Sequence, residues 1–226
     1  MLSAVSPSWQ HLLTRILGIL ASLIASLAWL ATIAALFGLW ARDDFVRYEP
    51  DDGEVVYISN VGAVHKTAFI IGTSITGTFF FLTLLFTKLC FDMENRRRFK
   101  RSMSVISIIC SLIGGASLIL LSIFDSSNHS GAHYTFTGLF IVFTILSAIF
   151  TVFHRFSRYQ WNFTVYLRVA FIGLVIPLAI TFAVMGSIKG PNNVSTLKSV
   201  AASIEWSIAI IFVMYLAAFG LDLLFY

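Results

Sequence analysis

Six apolar runs constrain this chain more than any other feature. They cover about residues 16–40, 67–89, 103–124, 134–153, 164–185 and 201–225. Each is about 20 residues or longer, the length at which one α-helix crosses the hydrocarbon core of a bilayer. Lipid offers no partner to a backbone N–H or C=O, so runs of this kind fold as helices. The charge content agrees: 12% of residues are charged, against about 25% in a soluble domain. The chain reads as an all-α integral membrane protein, one six-span bundle over residues 1–226, and a soluble enzyme is excluded. The first run exceeds the apolar core of a signal peptide, about 7–15 residues, and is read as a retained helix. No repeat and no linker-like stretch divides the chain.

An even number of spans puts both chain ends on one side. Ten basic residues fall on that side, among them Arg15, Lys88, Arg96, Arg97, Arg98, Lys100 and Arg101, and five fall on the other. Lysine and arginine favour the cytoplasm, which predicts cytosolic ends. The formal net charge of +4 sits beside apolar spans, so anionic phospholipids are the expected partners and nucleic acid is not. The juxtamembrane residues Arg96, Arg97, Arg98, Lys100 and Arg101 are the candidate lipid-headgroup contacts. Asn128 and Asn193 head sequons on the outer side and are candidate glycosylation acceptors; Asn162 heads one on the cytosolic side, where it would go unused.

Residues 42–66 form an outer loop, with Asp43, Asp44, Glu49, Asp51, Asp52 and Glu54 against Arg42, Arg47 and Lys66. Within it, the VVYIS run bounded by glycines carries a strand signal. Small residues recur at helical spacing in the spans: Gly18, Ser22 and Ala25 in the first, Gly72, Thr76 and Gly77 in the second, Gly114 and Gly115 in the third. Such residues let helices approach closely in lipid. Trp40, at the first span's end, suits an aromatic belt. Cys90 and Cys110 imply no disulfide framework. Cys90, at a span end, reads as a small apolar packing residue, with palmitoylation as the alternative. Pro177 lies inside the fifth span and is expected to kink it.

The densest set of titratable groups is in FDSSNHSGAH. Asp125, His129 and His133 are four residues apart, which on one continuous helix would fan them over about 80° of a face. The intervening Ser126, Ser127, Asn128, Ser130 and Gly131 favour a turn, with Asp125 closing one helix and the next starting near Ser130. Glu205 lies one turn into the last span on the same outer side. An ionisable group there needs a partner or a function. Three readings compete for this polar cluster: a hydrogen-bonded knot tying helices, a headgroup or pH-responsive site, and a zinc or catalytic site. Neither HExxH nor GxSxG is present, so no catalytic residue, metal or cofactor is assigned. Asp222, near the end of the last span, reads as an interface carboxylate, with an ion pair to the basic loop as the alternative.

FDSSNHSGAH with TFTGLFIVF after it, and the last span with its Glu205–Trp206 pair, resemble the FRAG/DRAM/SFK family, which includes CWH43-like N-terminal domains. The fungal suppressor-of-four-kinase type is the most similar. The matching positions are Phe124, Asp125, His129, His133, Glu205, Trp206, Phe219 and Asp222. YISNVGA resembles the family's first-loop motif, with Asn60 where many members carry aspartate. The resemblance implies a six-helix membrane regulator of lipid organisation or of phosphoinositide-kinase recruitment at the plasma membrane, and a lipid-kinase complex as partner. Relatives imply two alternatives, a GPI-lipid remodelling factor of the ER and Golgi, or an autophagy-related protein of vacuole or lysosome.

Overall fold

The structure is a computed structural model that describes residues 7–50, 52–94, 98–156, 163–187 and 194–225. Seven helices lie among them: α1 Pro7–Arg42, α2 Ile58–Val64, α3 Lys66–Glu94, α4 Arg98–Ile123, α5 Ser130–Phe156, α6 Phe163–Ser187 and α7 Val194–Leu224. All but α2 are long and apolar enough to span a membrane. At about 1.5 Å per residue, the 36 residues of α1 outrun a bilayer core, so its ends project on both sides. The helices form a closed ring in the order α1, α3, α4, α5, α6, α7, with the thinnest seam between α5 and α6. The start of α1 and the end of α7 lie on one face. There Arg15, near the start of α1, donates to Leu223 O at 2.6 Å and Leu224 O at 2.8 Å at the end of α7.

The small residues act as the sequence suggests. A Cβ on Gly77 would stand 2.6 Å from Gly115 O, and one on Gly115 equally close to Gly77 O, so α3 and α4 cross backbone to backbone. Hydroxyls staple other neighbours, because in lipid an unpaired polar group is costly. Ser22 Oγ donates to Leu216 O at 2.7 Å and accepts from Gly220 N at 2.8 Å. Thr73 and Ser122 pair at 2.7 Å across α3 and α4. The ring's interior is aromatic: Phe80, Phe140, Phe171, Phe212 and Tyr215 pack edge-to-face or stacked.

Several expectations are corrected. No strand occurs among the described residues. Val55 lies in a bend and Tyr57 is extended, while Ile58–Val64 is the helix α2, because another helix supplies a partner for its first free amide. Trp40 is buried, its Nε1 donating to Val46 O at 3.0 Å and its ring meeting Phe45 edge-on. It holds the turn after α1 and does not face a headgroup belt. Cys90 is fully buried, in keeping with its reading as a small packing residue and against the alternative of acylation, and both cysteines are free. Arg96, Arg97 and Asn193 lie outside the described residues. Arg98, Lys100 and Arg101 fall in the first turn of α4.

Candidate functional site

The turn between α4 and α5 begins at Asp125, as the serine and asparagine content dictates. Asp125 is 4% exposed. Its Oδ1 accepts from Asn128 N at 2.7 Å and Asn128 Nδ2 at 2.9 Å, and its Oδ2 accepts from Lys66 Nζ at 2.7 Å. The Lys66 ammonium, with help from Asn128, pulls the Asp125 carboxyl down to about 2. Lys66 is the first residue of α3, so this ion pair joins the outer ends of α3 and α4.

His133 sits one turn into α5 and is buried. Its Nδ1 faces Leu121 O at 2.8 Å and Phe124 O at 3.1 Å. Carbonyls only accept, so Nδ1 carries the proton and satisfies carbonyls at the end of α4 that helix geometry leaves free. His129 is exposed, its ring meeting Phe124 edge-on at 5.7 Å.

Glu205, on α7, accepts from Ile58 N at 2.8 Å. Tyr57, the residue preceding α2, makes no side-chain cap, so a carboxylate from a distant helix supplies what a local Ser or Asp would. Beside it, Trp206 Nε1 donates to Val56 O at 3.0 Å, and Glu54 N donates to Ser199 Oγ at 2.7 Å. The outer loop is thus pinned onto α7. Asn60 binds the same loop to the turn: its Nδ2 donates to Asp52 Oδ1 and its Oδ1 accepts from Ser126 Oγ, both at 2.8 Å.

Among the described residues no side-chain hydrogen bond joins any two of Asp125, His129, His133 and Glu205. Asp125, His133 and Glu205 each tie a different pair of elements, and His129 stays at the surface. Nor does any group of three or more His, Cys, Asp or Glu side chains among them stand where it could hold a metal ion. His133 and Glu205 do share one feature. Both line a cavity of about 60 Å³ in the ring's outer half, with Trp29, Phe69, Phe140 and Phe212 among its walls.

Asp222 has a partner that sequence reading did not find. It forms an ion pair with Arg168 of α6 and accepts from Thr164 Oγ1. Arg168 is fully buried, with its guanidinium 4.2 Å from the centre of the Phe219 ring, a cation–π contact. Its Nε and Nη1 meet no acceptor among the described residues. The available signal was that an arginine inside an apolar span needs a counter-charge.

A family model described as the Frag1/DRAM/Sfk1/Cwh43P N-terminal domain matches residues 17–224. The chain belongs to that family. Protein sfk1 of Schizosaccharomyces pombe is 29% identical over 211 residues, which cover 91% of this chain and 63% of that protein. The chain therefore spans less than two thirds of that relative's length. No solved structure matches it. In this member of the Frag1/DRAM/Sfk1/Cwh43P family, the positions that carried the resemblance have visible work. Asp125, His133, Glu205 and Trp206 satisfy backbone groups at helix ends and in the outer loop, and Asp222 and Phe219 hold Arg168.

Proposed function

We propose that this protein is a non-catalytic regulator of membrane lipid organisation that helps hold a phosphoinositide-kinase complex at the plasma membrane. One observation carries the reading. The motif side chains are engaged with backbone: Asp125 with Asn128 N, His133 with Leu121 O, Glu205 with Ile58 N. Acid–base or nucleophilic catalysis asks instead for titratable side chains in mutual reach. The motif builds a scaffold, and the scaffold sets the end of α3 and the start of α4 on the face that carries the start of α1 and the end of α7. The sequence from Arg96 into the first turn of α4 holds Arg96, Arg97, Arg98, Lys100 and Arg101, each worth about 1 kcal/mol of attraction to an anionic leaflet.

Replacing these five residues with glutamine tests the reading. The expected result is a lower pool of phosphorylated inositol lipids and less kinase at the membrane, with protein level and position unchanged. Unchanged pools and unchanged kinase recruitment in a normally expressed variant would overturn it.

A further inference from the structure

We propose that the outer cavity is a binding site for an uncharged, hydroxyl-bearing lipid, which enters between α5 and α6 and places its hydroxyl against Glu205 and His133. The inference stands apart from kinase recruitment, since it concerns the opposite half of the bundle.

The lining argues for the chemistry. Trp29, Phe69, Phe140 and Phe212 make the walls aromatic, and Trp29 cannot donate inward because its Nε1 is held by Ala209 O at 2.9 Å. The polar end offers acceptors. Glu205 accepts from Ile58 N and from the backbone and hydroxyl of Ser59, and a carboxylate has about four acceptor positions, so one remains for a ligand. His133 donates through Nδ1, which leaves Nε2 of the neutral ring as an acceptor. Thr137 also lines the cavity and donates to His133 O at 2.8 Å, so its oxygen too is left to accept. A ligand group that donates one hydrogen bond matches this end. A phosphate does not: it would meet the Glu205 carboxylate with no lysine or arginine in the lining, and burying like charges together is costly.

The size argues for how the lipid sits. About 60 Å³ is room for a few waters at about 10–15 Å³ each, far short of a whole lipid. Only the hydroxyl end and its first carbons fit inside. Ile141 of α5 and Phe182 of α6 both line the cavity, so it reaches the ring's thinnest seam. The hydrocarbon body therefore lies along that seam, in the outer half of the bilayer.

The test is photolabelling of the full chain in lipid nanodiscs, followed by peptide mapping. The probes are diazirine analogues of a diacylglycerol, a sterol, phosphatidylcholine and a phosphorylated phosphatidylinositol. Saturable labelling of α5 or α6 peptides near Ile141 or Phe182 by the diacylglycerol or the sterol probe is expected, and whichever labels names the source. Two variants narrow the site by different routes, Ala209→Leu from the interior and Ile141→Trp at the seam. Each is expected to cut labelling about tenfold, equivalent to about 1.4 kcal/mol, in protein that remains monodisperse. Labelling should persist when the basic α3–α4 residues are neutralised. Equal labelling by the two phosphate-bearing probes would overturn the proposal. So would labelling that survives both narrowing variants.

Discussion

Asn60 shows how much a single side chain settles in this fold. It is buried, and it must donate to Asp52 while accepting from Ser126. An amide does both, whereas an ionised carboxylate only accepts. Asp52 is itself committed, since its Oδ2 holds Tyr48 N at 3.1 Å and Glu49 N at 2.9 Å. Aspartate at position 60 would set two carboxylates about 3 Å apart, worth about 5 kcal/mol of repulsion at an effective dielectric constant near 20. Part of that is relieved when one of the pair takes a proton, which raises its pKa. We expect Asn60→Asp to cost about 2–3 kcal/mol at neutral pH. Stability should be regained as the pH falls and the proton arrives, the reverse of an ordinary paired carboxylate. Thermal unfolding in detergent across pH checks this. The swap Asn60→Asp with Asp52→Asn restores one donor between the two positions and is expected to recover most of the loss. A swap no more stable than the single variant would show that the Asp52–Asn60 contact is not what matters.

At the scale of elements, α6 is the least buried of the six spans and meets α5 along the thinnest seam. It is held chiefly by α7, through the Arg168–Asp222 pair and the stacking of Phe171 on Tyr215 at 4.3 Å. Removing one partner of a buried ion pair strands a charge and costs about 3–5 kcal/mol, while replacing both with apolar residues is often close to neutral. Arg168→Leu and Asp222→Leu should therefore each lower the unfolding midpoint strongly, and the double variant should be more stable than either. A double variant whose loss equals the sum of the singles would contradict this account. The helices themselves were legible in the sequence, because length and hydropathy decide a span without tertiary information. The break at Asp125 and the start of α5 at Ser130 were legible from turn chemistry. The helix α2 was not: the preceding Val55–Tyr57 look like strand, and the carboxylate that caps its start comes from Glu205, far along the chain. The even spacing of Asp125, His129 and His133 suggested one shared site. The turn instead separates them: Asp125 binds Lys66 and Asn128, His133 binds backbone carbonyls of α4 and its end, and His129 meets only the Phe124 ring, partners that no even spacing reports.

For the whole molecule, orientation decides which leaflet and which compartment each feature meets. The contact of Arg15 with the end of α7 puts the start of α1 and the end of α7 on one face, and the end of α3 and the start of α4 share it. The other face has the acidic outer loop, the turn between α4 and α5, the end of α6 and the start of α7. Along the sequence, lysine and arginine fall ten to five in favour of the first side, and this asymmetry sets topology because cationic loops are retained in the cytoplasm. Acidic residues such as Asp43 and Glu54 carry little weight in that choice, so the excess of acid in the outer loop does not oppose it. The expected result is that epitope tags at either chain end are shielded in sealed cells, while a tag inserted between Ser187 and Val194 is open to external antibody or protease. In secretory vesicles the same tag would face the lumen. The opposite pattern would carry Arg96–Arg101 away from the cytosolic leaflet and remove the basis for kinase recruitment. It would leave the cavity's chemistry intact but turn it toward the inner leaflet, so one labelling experiment separates the fates of the two proposals.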